Sequence, residues 1–72
     1  MTGPWGDRIR AKRLERAKLF PSAFTITAVA QRVGVNERTV RTWESGQAHP
    51  HPRHARRLAK ELGVTLTELG LD

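Results

Sequence analysis

The sequence predicts an all-α fold, a compact bundle of about five short helices. Three observations carry that expectation. From Phe24 to Gly46 the chain, FTITAVAQRVGVNERTVRTWESG, reads as two short helices joined by a tight turn. Its apolar residues fall where such a pair must touch: Val29, Ala30, Val33, Val35, Val40 and Trp43. From Pro52 to Leu62 another apolar stripe, Ala55, Leu58, Ala59 and Leu62, recurs at helical spacing and stops at Gly63. From Asp7 to about Phe20 strong helix formers dominate.

Gly3, Pro4 and Gly6 interrupt any helix at the start, which predicts a flexible arm over residues 1–6 and one helical domain over residues 7–72. Trp5 either folds back on helix 1, lies loose, or reaches along a partner. In helix 1, Asp7 sits near the positive N-terminal end and Lys18 near the negative end, as the helix dipole favours. Ile9, Arg13, Arg16, Ala17 and Phe20 share one broad face, leaving Arg8, Arg10, Lys12, Glu15 and Lys18 to water. Pro21 ends that helix because it lacks an N–H and clashes with the preceding turn. Phe20 and Phe24 are expected to fill the gap between helices 1 and 2; the rival reading is an exposed patch that docks a partner.

Thr25 suits the N-cap of helix 2, expected over Ile26–Val33. Ala30 is small enough for a second backbone to pass close by. Gly34 can take the left-handed conformation that ends a helix, Val35 tucks into the turn, and Asn36 can cap helix 3, expected over about Glu37 to Ser45. Gly46 to His51 is a loop. Pro52 suits the first turn of helix 4, with Arg53, Arg56, Arg57 and Lys60 outside. Thr65 and Glu68 fit a capping box for a last helix, Leu66–Leu71, whose Leu66, Leu69 and Leu71 exceed what so small a core is expected to absorb.

Seventy-two residues suffice for one domain, near the lower limit for a chain that folds on its own core. Without cysteine there is neither a disulfide framework nor a thiolate metal site, which makes a reducing cytoplasm the expected compartment. No apolar run approaches the roughly 20 residues needed to span a bilayer, and the first six residues lack the apolar segment of a signal sequence. Thirteen Lys and Arg against seven Asp and Glu give a net charge of +6 and a sequence pI near 11.4. That is the electrostatic footprint of a polyanion binder. Ten of the thirteen are arginine, whose forked guanidinium suits phosphate oxygens and guanine edges, so nucleic acid is expected ahead of membrane.

The stretch around Ala30, Gly34, Val35, Val40 and Trp43, with its small residue, turn glycine and buried positions, resembles the helix-turn-helix of the Xre/Cro/CI-type family, the phage repressor and Cro proteins and their bacterial relatives. Pro50 followed by LAKELGVTLTEL, Leu58 to Leu69, resembles the family's closing segment, so the likeness runs from about Ile9 to Leu71. It implies a lambda repressor-like bundle in which helices 2 and 3 form the helix-turn-helix and helix 3 enters the major groove. Glu37, Arg38 and Thr42 match the base-reading positions: Arg38 to fork onto guanine, Glu37 to accept from cytosine or orient Arg38, Thr42 to meet a thymine methyl or a base edge. Arg32, Asn36, Arg41, Ser45 and His49 are expected at the phosphates. Where the family often has a phosphate-reaching Gln, this chain has Ile26, so Thr25, Thr27 or the helix 2 N-terminus must take over that contact. The resemblance also implies an Arg13–Glu44 pair, although the longer segment from Arg13 to Thr25 leaves Arg16 as an alternative partner.

His49, His51 and His54 lie close in sequence, but Pro50 and Pro52 splay the first two and a metal site would need a further ligand; no metal or cofactor is expected. No Gly-rich phosphate loop stands in the chain, nor a Ser or Cys nucleophile with an evident base, and the carboxylates are scattered, so neither an enzyme nor a small-molecule substrate is expected. The expectation is a sequence-specific regulator of double-stranded DNA, a Cro/CI-like repressor on a near-palindromic operator. It would act as a homodimer, with the closing region in the two-fold contact. The alternatives are an antitoxin or bridging module of the same fold whose main partner is a protein, and a nonspecific nucleic-acid binder.

Overall fold

The computed structural model describes residues 4–72. They form five α-helices in chain order, α1 Pro4–Leu19, α2 Ile26–Val33, α3 Glu37–Glu44, α4 Pro52–Leu62 and α5 Leu66–Leu69, with one 3₁₀ turn at Pro21–Ala23. No strand occurs among the described residues. Among the described residues no helix is long and apolar enough to cross a membrane.

Helix boundaries follow side chains that satisfy the backbone groups a helix leaves open. Thr25 Oγ1 accepts from the Ala28 N–H at 3.1 Å, and Asn36 Oδ1 accepts from the Thr39 N–H at 2.9 Å. Thr65 and Glu68 complete a reciprocal capping box at the start of α5. Gly34 adopts φ 89°, and the Gly34 and Val35 N–H groups both donate to Ala30 O, at 2.9 and 3.0 Å. That closure turns the chain sharply from α2 into α3.

The core is contributed by every helix: Ile9 from α1, Val29, Ala30 and Val33 from α2, Val40 and Trp43 from α3, Ala55, Leu58, Ala59 and Leu62 from α4, Leu69 from α5 and Leu71 beyond it. Trp5, Phe24, Ile26, Val35, Val64 and Leu66 pack around it. Because α3 is pinned by Val40 and Trp43, its opposite side must face outward.

Four expectations are corrected. The first described residues, Pro4 to Gly6, are the opening turn of α1 and not an arm; Met1 to Gly3 lie outside the described residues. Pro4 costs nothing at a first helical position, where no N–H is needed. Trp5 consequently reaches the loop after α3, where its indole N–H donates to Ala48 O at 3.0 Å. Second, Phe20 is exposed, and Phe24 alone of the pair packs on the core. Pro21 and the 3₁₀ turn swing Phe20 off the end of α1 before the chain returns. Third, α5 stops at Leu69 because Gly70 takes φ 71°, after which the Leu71 N–H donates back to Leu66 O at 2.9 Å. Fourth, this reversal folds Leu71 inward, and Leu69 and Leu71 are both buried, so the core takes up the leucines expected to be surplus.

Candidate nucleic-acid interface

Buttressing of α3 starts with a buried ion pair. Arg13 Nε donates to Glu44 Oε2 at 2.7 Å, Arg13 Nη2 donates to Glu44 Oε1 at 3.1 Å, and Arg13 Nη1 donates to Phe24 O at 3.2 Å. The two side chains are 11 % and 7 % exposed. This fork binds α1, the 3₁₀ connection and the end of α3 into one unit, and it settles which arginine holds Glu44. Arg16 does separate work, donating from Nε to Leu62 O at 3.0 Å and so satisfying a free carbonyl at the end of α4.

On the outward side of α3, Arg38 and Arg41 are exposed and Glu37 and Thr42 are half-buried. Arg38 has no ion-pair partner among the described residues. Thr42 Oγ1 donates to Arg38 O at 2.9 Å, which leaves the oxygen's lone pairs free to accept. Glu37 is drawn into local bonds: one carboxylate oxygen accepts from the Thr27 hydroxyl and the other lies 3.4 Å from Arg41 Nη1. Thr27 therefore fixes the first turn of α2 to the first turn of α3. A base contact by Glu37 competes with both partners.

The residues expected at phosphates divide. Thr25 and Asn36 are exposed at the starts of α2 and α3, where their side-chain oxygens serve as caps. Arg41 is exposed beside Arg38. Ser45 is half-buried, its hydroxyl donating to Thr42 O at 2.9 Å. Arg32 is turned into the body: Nε meets Glu61 Oε2 at 2.9 Å, Nη2 donates to Ala23 O, and its guanidinium stacks 4.9 Å from the Phe24 ring centroid. Its charge ties α2 to α4, because Glu61 on α4 lies close enough to draw it inward. His49 is exposed in the loop after α3, its ring edge-on to Trp5 at 4.9 Å between centroids. His51 caps α4 and His54 packs beside Trp43, and no group of three metal-binding side chains occurs among the described residues.

The sequence places Arg10 among the residues facing water. It lines an open pocket with Arg13, Ile26, Arg41, Glu44 and Ser45. The sequence signal was its position one turn before Arg13 on α1.

Two short helices joined by a left-handed glycine, with the second braced beneath and polar above, define a helix-turn-helix unit of the DNA-binding kind. Residues 21–69, about two thirds of the chain, match the family described as Helix-turn-helix (HTH_3), and the chain belongs to this Xre/Cro/CI-type helix-turn-helix family. That family is one of DNA-binding, non-enzymatic regulator domains. No curated protein and no solved structure gives a significant match to the chain.

Proposed function

We propose that the protein is a sequence-specific transcription regulator that places α3 in the major groove of double-stranded DNA and represses by covering a promoter. The observation that carries this reading is the two-sided build of α3: Val40 and Trp43 are buried beneath it, the Arg13–Glu44 fork clamps its end, and Arg38, Arg41 and Thr42 stand on the other side. Arg38 reads a guanine by its fork and Thr42 offers a methyl and an acceptor to the neighbouring base. Glu37 orients Arg41 and accepts from cytosine N4 only by releasing Thr27 or Arg41. Thr25, Thr27, Asn36, Arg41, Ser45 and His49 flank the groove toward the phosphates. Arg32 is left out of this set, because it is committed to Glu61 and Ala23.

Selection from a randomised duplex pool followed by footprinting tests the reading. Arg38→Ala is expected to cost roughly 1–3 kcal/mol at one base position and to relax preference there, while affinity for random duplex changes little. Unchanged preference after selection would show that α3 does not read bases through Arg38.

A homodimer is part of the proposal, on a near-palindrome with half-sites about one helical turn apart. Sedimentation of the complex should give two chains per selected duplex; a single chain per duplex rejects the dimer. One observation favours a second reading, in which the chief partner is another protein: among the described residues the large apolar side chains left exposed are Leu14, Leu19 and Phe20, the last two consecutive where α1 ends. Failure to enrich any sequence in the selection would favour it.

A further inference from the structure

The pocket between α1, α2 and α3 has a volume of about 330 Å³ and is open to solvent. It is lined by the half-buried Ile26 and Ser45 and by four charged residues, the arginines Arg10, Arg13 and Arg41 against one acid, Glu44. Arg13 and Glu44 neutralise each other through two hydrogen bonds, and the Ser45 hydroxyl already donates to Thr42 O. The donors left to a ligand are therefore those of Arg10 and Arg41. Arg41 holds a loose contact to Glu37, itself shared with Thr27, and Arg10 has no partner among the described residues.

Two exposed arginines that line one open pocket from different helices suit a tetrahedral oxyanion, since a guanidinium fork can give parallel N–H bonds to two oxygens. The pocket opens beside Arg41 and Ser45, on the helix that the proposed function puts in the groove. The geometry points to Arg10 as a phosphate-binding residue, acting with Arg41 to seat one backbone phosphate of the bound duplex in this pocket. The inference rests on the DNA-docking reading of α3. It also supplies a backbone contact near the start of α2, where Ile26 offers no polar group and the Thr27 hydroxyl turns to a phosphate only by leaving Glu37.

Binding of a selected duplex and a random duplex should be measured by fluorescence anisotropy across a salt series for the wild type, Arg10→Ala, Arg10→Lys and Lys18→Ala. Lys18→Ala removes the same charge from α1 outside the pocket. Arg10→Ala is expected to weaken both duplexes about equally, by about tenfold, and to reduce the slope of log affinity against log salt by about one. Arg10→Lys, which keeps the charge without the fork, should fall between. Equal, small losses for Arg10→Ala and Lys18→Ala would overturn the pocket while leaving the groove reading intact. No binding of the wild type to any duplex would overturn the groove reading and the inference resting on it. A parallel titration with inorganic phosphate, followed at the arginine Nε–H signals, separates the two sources of this anion. Saturation at low millimolar phosphate would assign the pocket to a free anion and overturn the backbone assignment; weak, unsaturated shifts accord with it. Arg10 is exposed, so unchanged thermal melting of its variants is the expected control.

Discussion

Glu44→Ala is expected to destabilise the domain by about 3–5 kcal/mol, because it leaves the Arg13 guanidinium buried without its counter-charge. Arg13 is only 9 % exposed overall, and the acceptor left to it beside its own pocket edge would be Phe24 O. A domain of this size has a total stability of roughly 4–11 kcal/mol, so the variant should lose a large share of it. Its melting midpoint, read by circular dichroism, should fall by roughly 15–30 °C. The paired replacement Arg13→Met with Glu44→Leu should recover much of the loss, since an apolar pair of similar volume carries no desolvation penalty. A Glu44→Ala melt within a few degrees of the wild type would mean that water reaches this pair. The fork would then contribute orientation rather than stability.

Gly6→Val should be the second severe lesion, although nothing near Gly6 in sequence foretells it. A Cβ placed on Gly6 would lie 2.6 Å from Glu44 O, 2.9 Å from Gly46 N and 3.0 Å from Trp43 O. All three are backbone atoms, so no side chain can swing aside; the start of α1 would have to lift by about 0.8 Å to restore ordinary contact. In an unobstructed helix Gly→Ala gains about 1 kcal/mol. Here the clash outweighs that gain: Gly6→Ala should destabilise by about 1–2 kcal/mol and Gly6→Val by about 3 kcal/mol. Lifting α1 also withdraws Trp5 from Ala48, so tryptophan fluorescence should shift together with the lowered melting midpoint. A stabilised Gly6→Ala variant would show that α1 does not rest on the end of α3 in solution.

These two sites differ in how far the sequence announced them. Arg13 and Glu44 could be paired only through family resemblance, because spacing within the chain allowed Arg16 as well. The choice was made by the Leu19 to Phe24 connection, whose 3₁₀ turn puts Phe24 O against Arg13 and leaves Arg16 over the end of α4. Gly6 looked like a helix breaker, and it is a point of close approach between backbones that lie some forty residues apart. Arg32 looked like a phosphate contact and Arg10 like a solvated charge. Glu61 on α4 turned the first inward, and the convergence of α1 and α3 made the second line the same pocket as Arg41.

The sequence by itself determined the all-helical class, the α2–α3 turn and nearly every helix end. Thr25, Gly34, Asn36, Pro52, Gly63 and the Thr65–Glu68 box act on backbone groups within four residues of themselves, and such local bonds form wherever the chain goes. It also determined that α3 has one apolar and one polar side, since Val40 and Trp43 recur at helical spacing. Only the tertiary structure decided which arginines are spent inside the protein and which are left for a ligand. A guanidinium on a long flexible stem takes the nearest carboxylate or carbonyl, and which one is nearest depends on helices far away in the sequence.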